Sequence, residues 1–277
     1  MQNTKPEIFF HPGLGKTGTT YLQYKFFPKL KGINYIPRTR IHKAIKKLQK
    51  KEQGRYLVSR EHDRDFYSVT ERFAKHFPQS KIILVFRRHD KWIASQYRRV
   101  TKNGRGVTFN EFIDVDKNKG RWDKEILNFY DRILFVEKIF GKKPLVLFHE
   151  ELKENPYNFF DKIATFTNTQ YNKNKLSLSS KHTAYQDRQL KAVRKIARKT
   201  FFRRDGINIK HTNGFERKLR KTFCHLIMYF HWLIPLGEDR EKPLIAETDL
   251  ERIRTACKDD WEKCQQYAKE NPAENIT

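Results

Sequence analysis

Apolar residues along this chain gather into short runs separated by stretches of amphipathic spacing, and the two periods alternate. Residues 7–11 (EIFFH) form an apolar run that ends in a glycine-containing turn, and residues 19–31 carry helical spacing. Residues 33–36 read as a second strand and 41–53 as a basic helix. Residues 55–59 (RYLVS) read as a third strand, with a helix near 66–77 behind it. The run KIILVF at 81–86 is the clearest buried strand, followed by a helix over about 90–102. A long helix is expected over 123–140 and a fifth strand over 144–148 (PLVLF). After Asn155 the pattern turns helical, over 157–167, 184–200, 215–233 and 248–269. Strands alternating with helices predict a parallel sheet covered on both faces. The expected architecture is a three-layer α/β core over about 1–155 and a mainly helical portion over 156–277, in one domain.

Composition agrees with a folded chain. Of 277 residues, 38% are hydrophobic and 22 are Phe, enough apolar material for a core and too much for a disordered chain. No run reaches the roughly 20 apolar residues of a membrane span. The nearest, residues 223–236, carries His225 and His231 and is expected to be a buried helix. The start, MQNTKPEIFFHPG, lacks the apolar stretch of a secretory signal. Three unclustered cysteines (Cys224, Cys257, Cys264) indicate neither a disulfide framework nor a zinc site. A soluble protein of the cytoplasm is the expectation, with contact at the inner face of the membrane left open.

Charge changes the picture more. The chain carries a formal +26, yet from Gly237 onward 11 acids outnumber 7 bases. Residues 181–222 hold 14 bases against 3 acids. Such a field attracts polyanions, whether nucleic acid, anionic lipid, acidic glycan or a phosphorylated cofactor. It equally fits a lysine-rich solvated surface, so charge alone does not choose the partner.

The segment His11-Pro12-Gly13-Leu14-Gly15-Lys16-Thr17-Gly18-Thr19-Thr20 joins the first strand to the first helix. Glycines let backbone N–H groups converge on an anion, and a helix N-terminus adds its dipole. Lys16 supplies a mobile positive charge, and Thr17, Thr19 and Thr20 supply hydroxyls. The loop is not that of ordinary P-loop NTPases, because Phe10 stands where their first glycine belongs. A second anion site is suggested by Arg87, which leaves the KIILVF strand, and by Ser95, eight residues later on a helix. Arginine can fork onto a phosphate and a hydroxyl can complete its shell.

These residues resemble the sulfotransferases that use 3′-phosphoadenosine 5′-phosphosulfate (PAPS). Lys16-Thr17-Gly18-Thr19-Thr20 is similar to the family's 5′-phosphosulfate loop, K-[ST]-G-T-[TS], and Tyr21-Leu22-Gln23 continues it as in the bacterial and carbohydrate-type branches. Arg87 and Ser95 match in spacing the pair that holds the cofactor's 3′-phosphate, and Tyr97 fits as well. Leu147 to Pro156 resembles the family's later strand-to-helix stretch. The family's R-K-G segment is not found. Residues 179–183 (SSKHT) stand in its place, which would assign Lys181 to the 3′-phosphate region. The resemblance covers roughly residues 7–200. It implies a P-loop-like fold, PAPS as cofactor with Gly15, Lys16, Thr17, Gly18, Thr19, Thr20, Arg87, Ser95 and Lys181 around it, and no metal.

Sulfuryl transfer to an alcohol requires an aligned hydroxyl, a proton acceptor and charge stabilisation on the leaving oxygen. Lys16 is suited to the last task. The family's base, a His or Glu, follows the third strand, and that register falls on Glu61, with His62 beside it as the alternative. His11, ending strand one, is a third candidate for the base, read in preference as a packing or loop-orienting residue. The acceptor expected is an anionic glycan or glycolipid. Two other readings stand beside this one. A nucleotide-dependent kinase with an atypical phosphate loop would need Mg²⁺ on an acid at a strand end, where Arg87 and Arg88 stand instead. A nucleic-acid-binding protein could use the basic 181–222 stretch, which has aromatics but no recognisable module. The oligomeric state is not legible from the sequence.

Overall fold

A computed structural model describes residues 6–37, 41–178, 185–200 and 213–276. Five strands form one sheet: β1 (Glu7–His11), β2 (Asn34–Ile36), β3 (Arg55–Ser59), β4 (Lys81–Phe86) and β5 (Leu145–Phe148). They run in the order β2-β3-β1-β4-β5 and every pair is parallel. This is the expected α/β architecture. β1, β3, β4 and β5 are buried along almost their whole length. Their near-continuous apolar runs are what a parallel sheet covered on both faces requires.

The helices among the described residues are α1 (Thr19–Tyr21), α2 (Ile41–Gln49), α3 (Phe66–His76), α4 (His89–Lys102), α5 (Phe109–Phe112) and α6 (Phe129–Phe140). They continue with α7 (His149–Glu154), α8 (Pro156–Phe166), α9 (Asp187–Thr200), α10 (Gly214–Tyr229), α11 (Glu247–Ala256) and α12 (Lys258–Glu270). The chain divides into two compact units. The first comprises residues 1–89, 126–180 and 257–277 and contains the whole sheet. The second comprises residues 90–125 and 181–256 and is helical where described.

In the first unit, one side of the sheet packs on a cluster that includes Phe9, Leu22, Phe26, Leu57, Val85, Leu147, Phe160 and Phe166. Phe26 stacks on Phe160 with ring centroids 4.4 Å apart, and Tyr21 stacks on the same ring at 5.6 Å. Three stretches depart from the expected elements. Residues 19–31 form a short α1, a π-turn over Leu22–Phe26 and a 3-10 turn over Phe27–Lys29. Adjacent Phe26 and Phe27 are both fully buried, and Pro28 has no amide with which to continue a helix. Residues 123–140 break at Asn128, because α6 begins under Asp260 of α12. The two carboxylate oxygens of Asp260 accept the Phe129 and Tyr130 amides, each at 3.1 Å. Residues 248–269 form two helices, α11 and α12, separated at Cys257. A fourth departure lies in the second unit, where residues 223–236 are not a buried helix. Leu226, Tyr229, Trp232 and Leu233 are all exposed.

Candidate functional site

The order of the strands selects one place for a ligand. From β1 the chain crosses to the β2 side of the sheet, and from β4 it crosses to the β5 side. Adjacent strands whose connections leave in opposite directions open a crevice at their carboxyl ends, where ligands of such sheets bind. β1 delivers the loop of residues 12–18 to this crevice, and β4 delivers Arg87.

Local chemistry shapes that loop. The Thr17 and Thr19 hydroxyls both donate to the Leu14 carbonyl, at 2.7 and 2.8 Å, and both residues are buried. Lys16 adopts a left-handed backbone at φ 74° while its side chain stays exposed. Gly18 caps α1 at φ 87°, and a Cβ there would lie 2.7 Å from Leu152 Cδ2 and 3.4 Å from His149 Cδ2. The amide of Gly15 donates to Asp63 Oδ1 at 2.7 Å. The loop therefore holds itself together with two of its three threonines, and an anion would meet Lys16, Thr20 and the N-terminus of α1. The Arg87 guanidinium donates to the Lys16 carbonyl at 3.3 Å, joining the two expected anion-binding elements.

The β1–β3 ladder extends beyond the strands. Arg60 N donates to His11 O at 3.0 Å and His62 N donates to Gly13 O at 2.8 Å. These bonds hold the Arg60–His62 segment alongside the loop of residues 12–18. Glu61 is half-buried there. His62 is buried, its Nδ1 lies 3.2 Å from Asp65 Oδ2, and its Nε2 is buried without a hydrogen-bond partner. The His62 contact, opposed in part by burial, holds the Asp65 carboxyl below its usual range. His11 is fully buried, with Nδ1 2.8 Å from Ser59 Oγ, and burial pushes its pKa down to about 3. Gln23 Nε2 also donates to Ser59 Oγ, at 3.0 Å. The neutral His11 ring lies so close under Gly13 that a Cβ there would be 2.5 Å from its Cε1. Beside Gln23 opens a cavity of about 570 Å³ with Tyr24, Phe27, Tyr35, Lys47 and Lys51 in its wall.

Ser95 lies half-buried on α4, within the second unit. Tyr97, also on α4, is fully buried and donates to Val107 O at 2.8 Å. Lys181 lies outside the described residues. Two residues at the site had no role in the sequence reading. Asp63 is one, and its bond to Gly15 joins positions 48 residues apart, which no local pattern signals. His149 starts α7 beside Gly18, and burial together with the charges of Arg87 and Lys153 lowers its pKa to about 4. No sequence signal distinguished it from the other histidines. Among the described residues no three His, Cys, Asp or Glu side chains are grouped so as to hold a metal ion, and no helix is long and apolar enough to cross a membrane.

No protein-family model and no curated protein matches the sequence. Solved structures align with the fold. A sulfotransferase from Alicyclobacillus acidocaldarius aligns with a TM-score of 0.50 and 15% identity, over 70% of this chain and 93% of that one. Mouse sulfotransferase SULT7A1, complexed with PAP, aligns with a TM-score of 0.47 and 17% identity, over 97% of this chain and 90% of that one. The bacterial likeness shows that the central parallel sheet and its helical layers have the P-loop-like fold of a sulfotransferase.

Proposed function

We propose that this protein is a PAPS-dependent O-sulfotransferase that modifies a hydroxyl of an anionic glycan or glycolipid. The observation that carries the reading is the meeting of Lys16 and Arg87 at the carboxyl ends of adjacent strands, 3.3 Å apart through the Lys16 carbonyl. A nucleotide with phosphate groups on both the 5′ and the 3′ positions of its ribose satisfies two such cations at once. The residues fit the cofactor: α1 offers its N-terminal amides, Lys16 and Thr20 are exposed, and Gly18 leaves no room for a side chain.

PAPS when bound supplies an activated sulfuryl group. Lys16, as a point charge in the loop, is placed to stabilise the oxygen on which charge develops. Glu61, held beside the loop by the extended β1–β3 ladder, accepts the proton of the acceptor hydroxyl in this reading. His62 is the alternative, and its unpartnered Nε2 keeps it in contention. Arg87 neutralises the 3′-phosphate. The roles of Ser95 and Lys181 rest on the sequence resemblance. The cavity beside Gln23, with aromatic walls and two lysines, suits the sugar of an anionic acceptor. Three buried cysteines, none of them in a disulfide, suit a reducing compartment such as the cytoplasm.

The test is thermal shift with adenosine 3′,5′-bisphosphate, paired with transfer of labelled sulfate from PAPS to glycan and glycolipid acceptors. Strong stabilisation and label transfer are expected. Stabilisation by Mg²⁺-ATP with none by the bisphosphate would favour a kinase and overturn the assignment.

A further inference from the structure

Among the described residues, eight of the twelve exposed large hydrophobic side chains fall within residues 215–233, all in the second unit. Scattered exposed apolar residues need no explanation, but a concentration of this kind does. α10 is apolar on two opposite faces. Cys224, Ile227 and Met228 are buried. At about 100° per residue, Phe215, Leu219, Leu226 and Tyr229 form a row on the other side of the helix, and all four are exposed. The row continues beyond the helix through Trp232 and Leu233, which are 55% and 69% exposed.

The orientation of this row is anchored. On α9, Gln189 Nε2 donates to Met228 O at 3.3 Å and Arg188 Nη2 donates to Trp232 O at 3.4 Å. Lys195 Nζ donates to Pro235 O. The helix therefore cannot roll its apolar row inward without breaking bonds at its far end.

Charge identifies the occupant. Arg217, Lys218 and Lys221 are exposed on the same helix, and Lys218 and Lys221 flank one side of the row. Between residues 214 and 236 the sequence holds four bases and one acid, Glu216. Two copies of this face brought together would appose like charges, which opposes self-association. Nucleic acid would pair with the bases and leave the leucines and Trp232 in water. An anionic bilayer uses both features. Leucine and phenylalanine enter the acyl boundary, Tyr and Trp sit at headgroup depth, and lysine stems extend to anionic headgroups.

We infer that α10 and the turn after it form an interfacial anchor that lays the protein on an anionic lipid surface. The inference is independent of the sulfuryl-transfer reading, since none of these residues belongs to the phosphate loop or to the Arg60–His62 segment.

The test is co-sedimentation of the full-length chain with vesicles of phosphatidylcholine alone or with about one-third phosphatidylglycerol. Binding to the anionic vesicles is expected, with a blue shift in tryptophan emission that Trp232→Phe removes. Trp232 is the exposed reporter, whereas Trp92 and Trp122 are buried. The double variant Leu219→Glu/Leu226→Glu should lower partitioning about a hundredfold, or tenfold (about 1.4 kcal/mol) per leucine. Both leucines are exposed, so its melting temperature should stay unchanged. Lys218→Glu/Lys221→Glu should erase the preference for anionic over neutral vesicles. Failure of the wild-type chain to bind anionic vesicles would overturn the inference, as would equal binding by the leucine double variant. So would a wild-type dimer that the same variant converts to monomer while neither form binds vesicles.

Discussion

Replacing Lys16 by alanine and by glycine separates its chemical role from its structural one. The backbone of Lys16 lies in the left-handed region at φ 74°, which costs a residue with a Cβ about 1–2 kcal/mol. Its side chain is exposed and contributes little to the core. Alanine keeps the strain and removes the charge, so its stability should match the wild type. Glycine removes both, but it gives back about 0.4–1 kcal/mol through the greater freedom of the unfolded chain. The glycine variant should therefore be equal to the alanine variant or more stable by up to about 1.5 kcal/mol. At roughly 2–4 °C per kcal/mol for a chain of this size, that is a rise of up to about 6 °C. Turnover should move the other way in both, falling about 10²–10³-fold with saturating PAPS, because on the proposed reading each lacks the charge that stabilises the leaving oxygen. The assays are thermal denaturation and sulfate transfer on the same preparations. Retention of more than about a third of turnover in either variant would remove Lys16 from the chemistry. A drop of several degrees in the glycine variant would show that the side chain holds the loop, and the strain argument would fail.

Arg87→Ala should weaken adenosine 3′,5′-bisphosphate by about 1.5–3 kcal/mol while leaving adenosine 5′-phosphate nearly untouched, measured by calorimetry. Equal loss for both ligands would show that Arg87 does not face the 3′-phosphate. Glu61→Gln should abolish transfer with binding intact. An active Glu61→Gln together with an inactive His62→Ala would make His62 the base instead. Gly18→Ala should cost about 1–3 kcal/mol, because its Cβ would strike Leu152 in a left-handed conformation. Leu152→Ala in that background should recover the steric part and leave the backbone part, as read from melting temperatures. His149, held at a pKa of about 4 by burial and the charges of Arg87 and Lys153, stays neutral in the fold while the unfolded chain protonates near pH 6.5. Its depressed pKa removes stability as pH falls from about 6.5 toward 4. His149→Gln should thus be better tolerated at pH 5 than at pH 7.5, by about 1 kcal/mol after solvent screening of a half-buried ring. No difference between the two pH values would refute the shift.

The strand runs at 7–11, 55–59, 81–86 and 145–148, and the loop between β1 and α1, were legible in the sequence because they depend on local pattern. A doubly covered parallel strand needs an unbroken apolar run, and a turn from strand to helix around an anion needs glycines beside a cation. The placing of Lys16 and Arg87 on neighbouring strand ends was implied by resemblance but decided by the strand order, which no local pattern encodes. Other features were set by partners distant in sequence. The break before α6 follows from Asp260, 131 residues away, accepting the Phe129 amide. The Gly15 amide turns to Asp63, 48 residues away, so one of the loop's donors holds its shape and does not face a ligand. The outward face of α10 was misread for the same reason. Its sequence is apolar on both sides, and only the anchoring of α10 by α9 determined which side the protein covers and which it leaves to solvent.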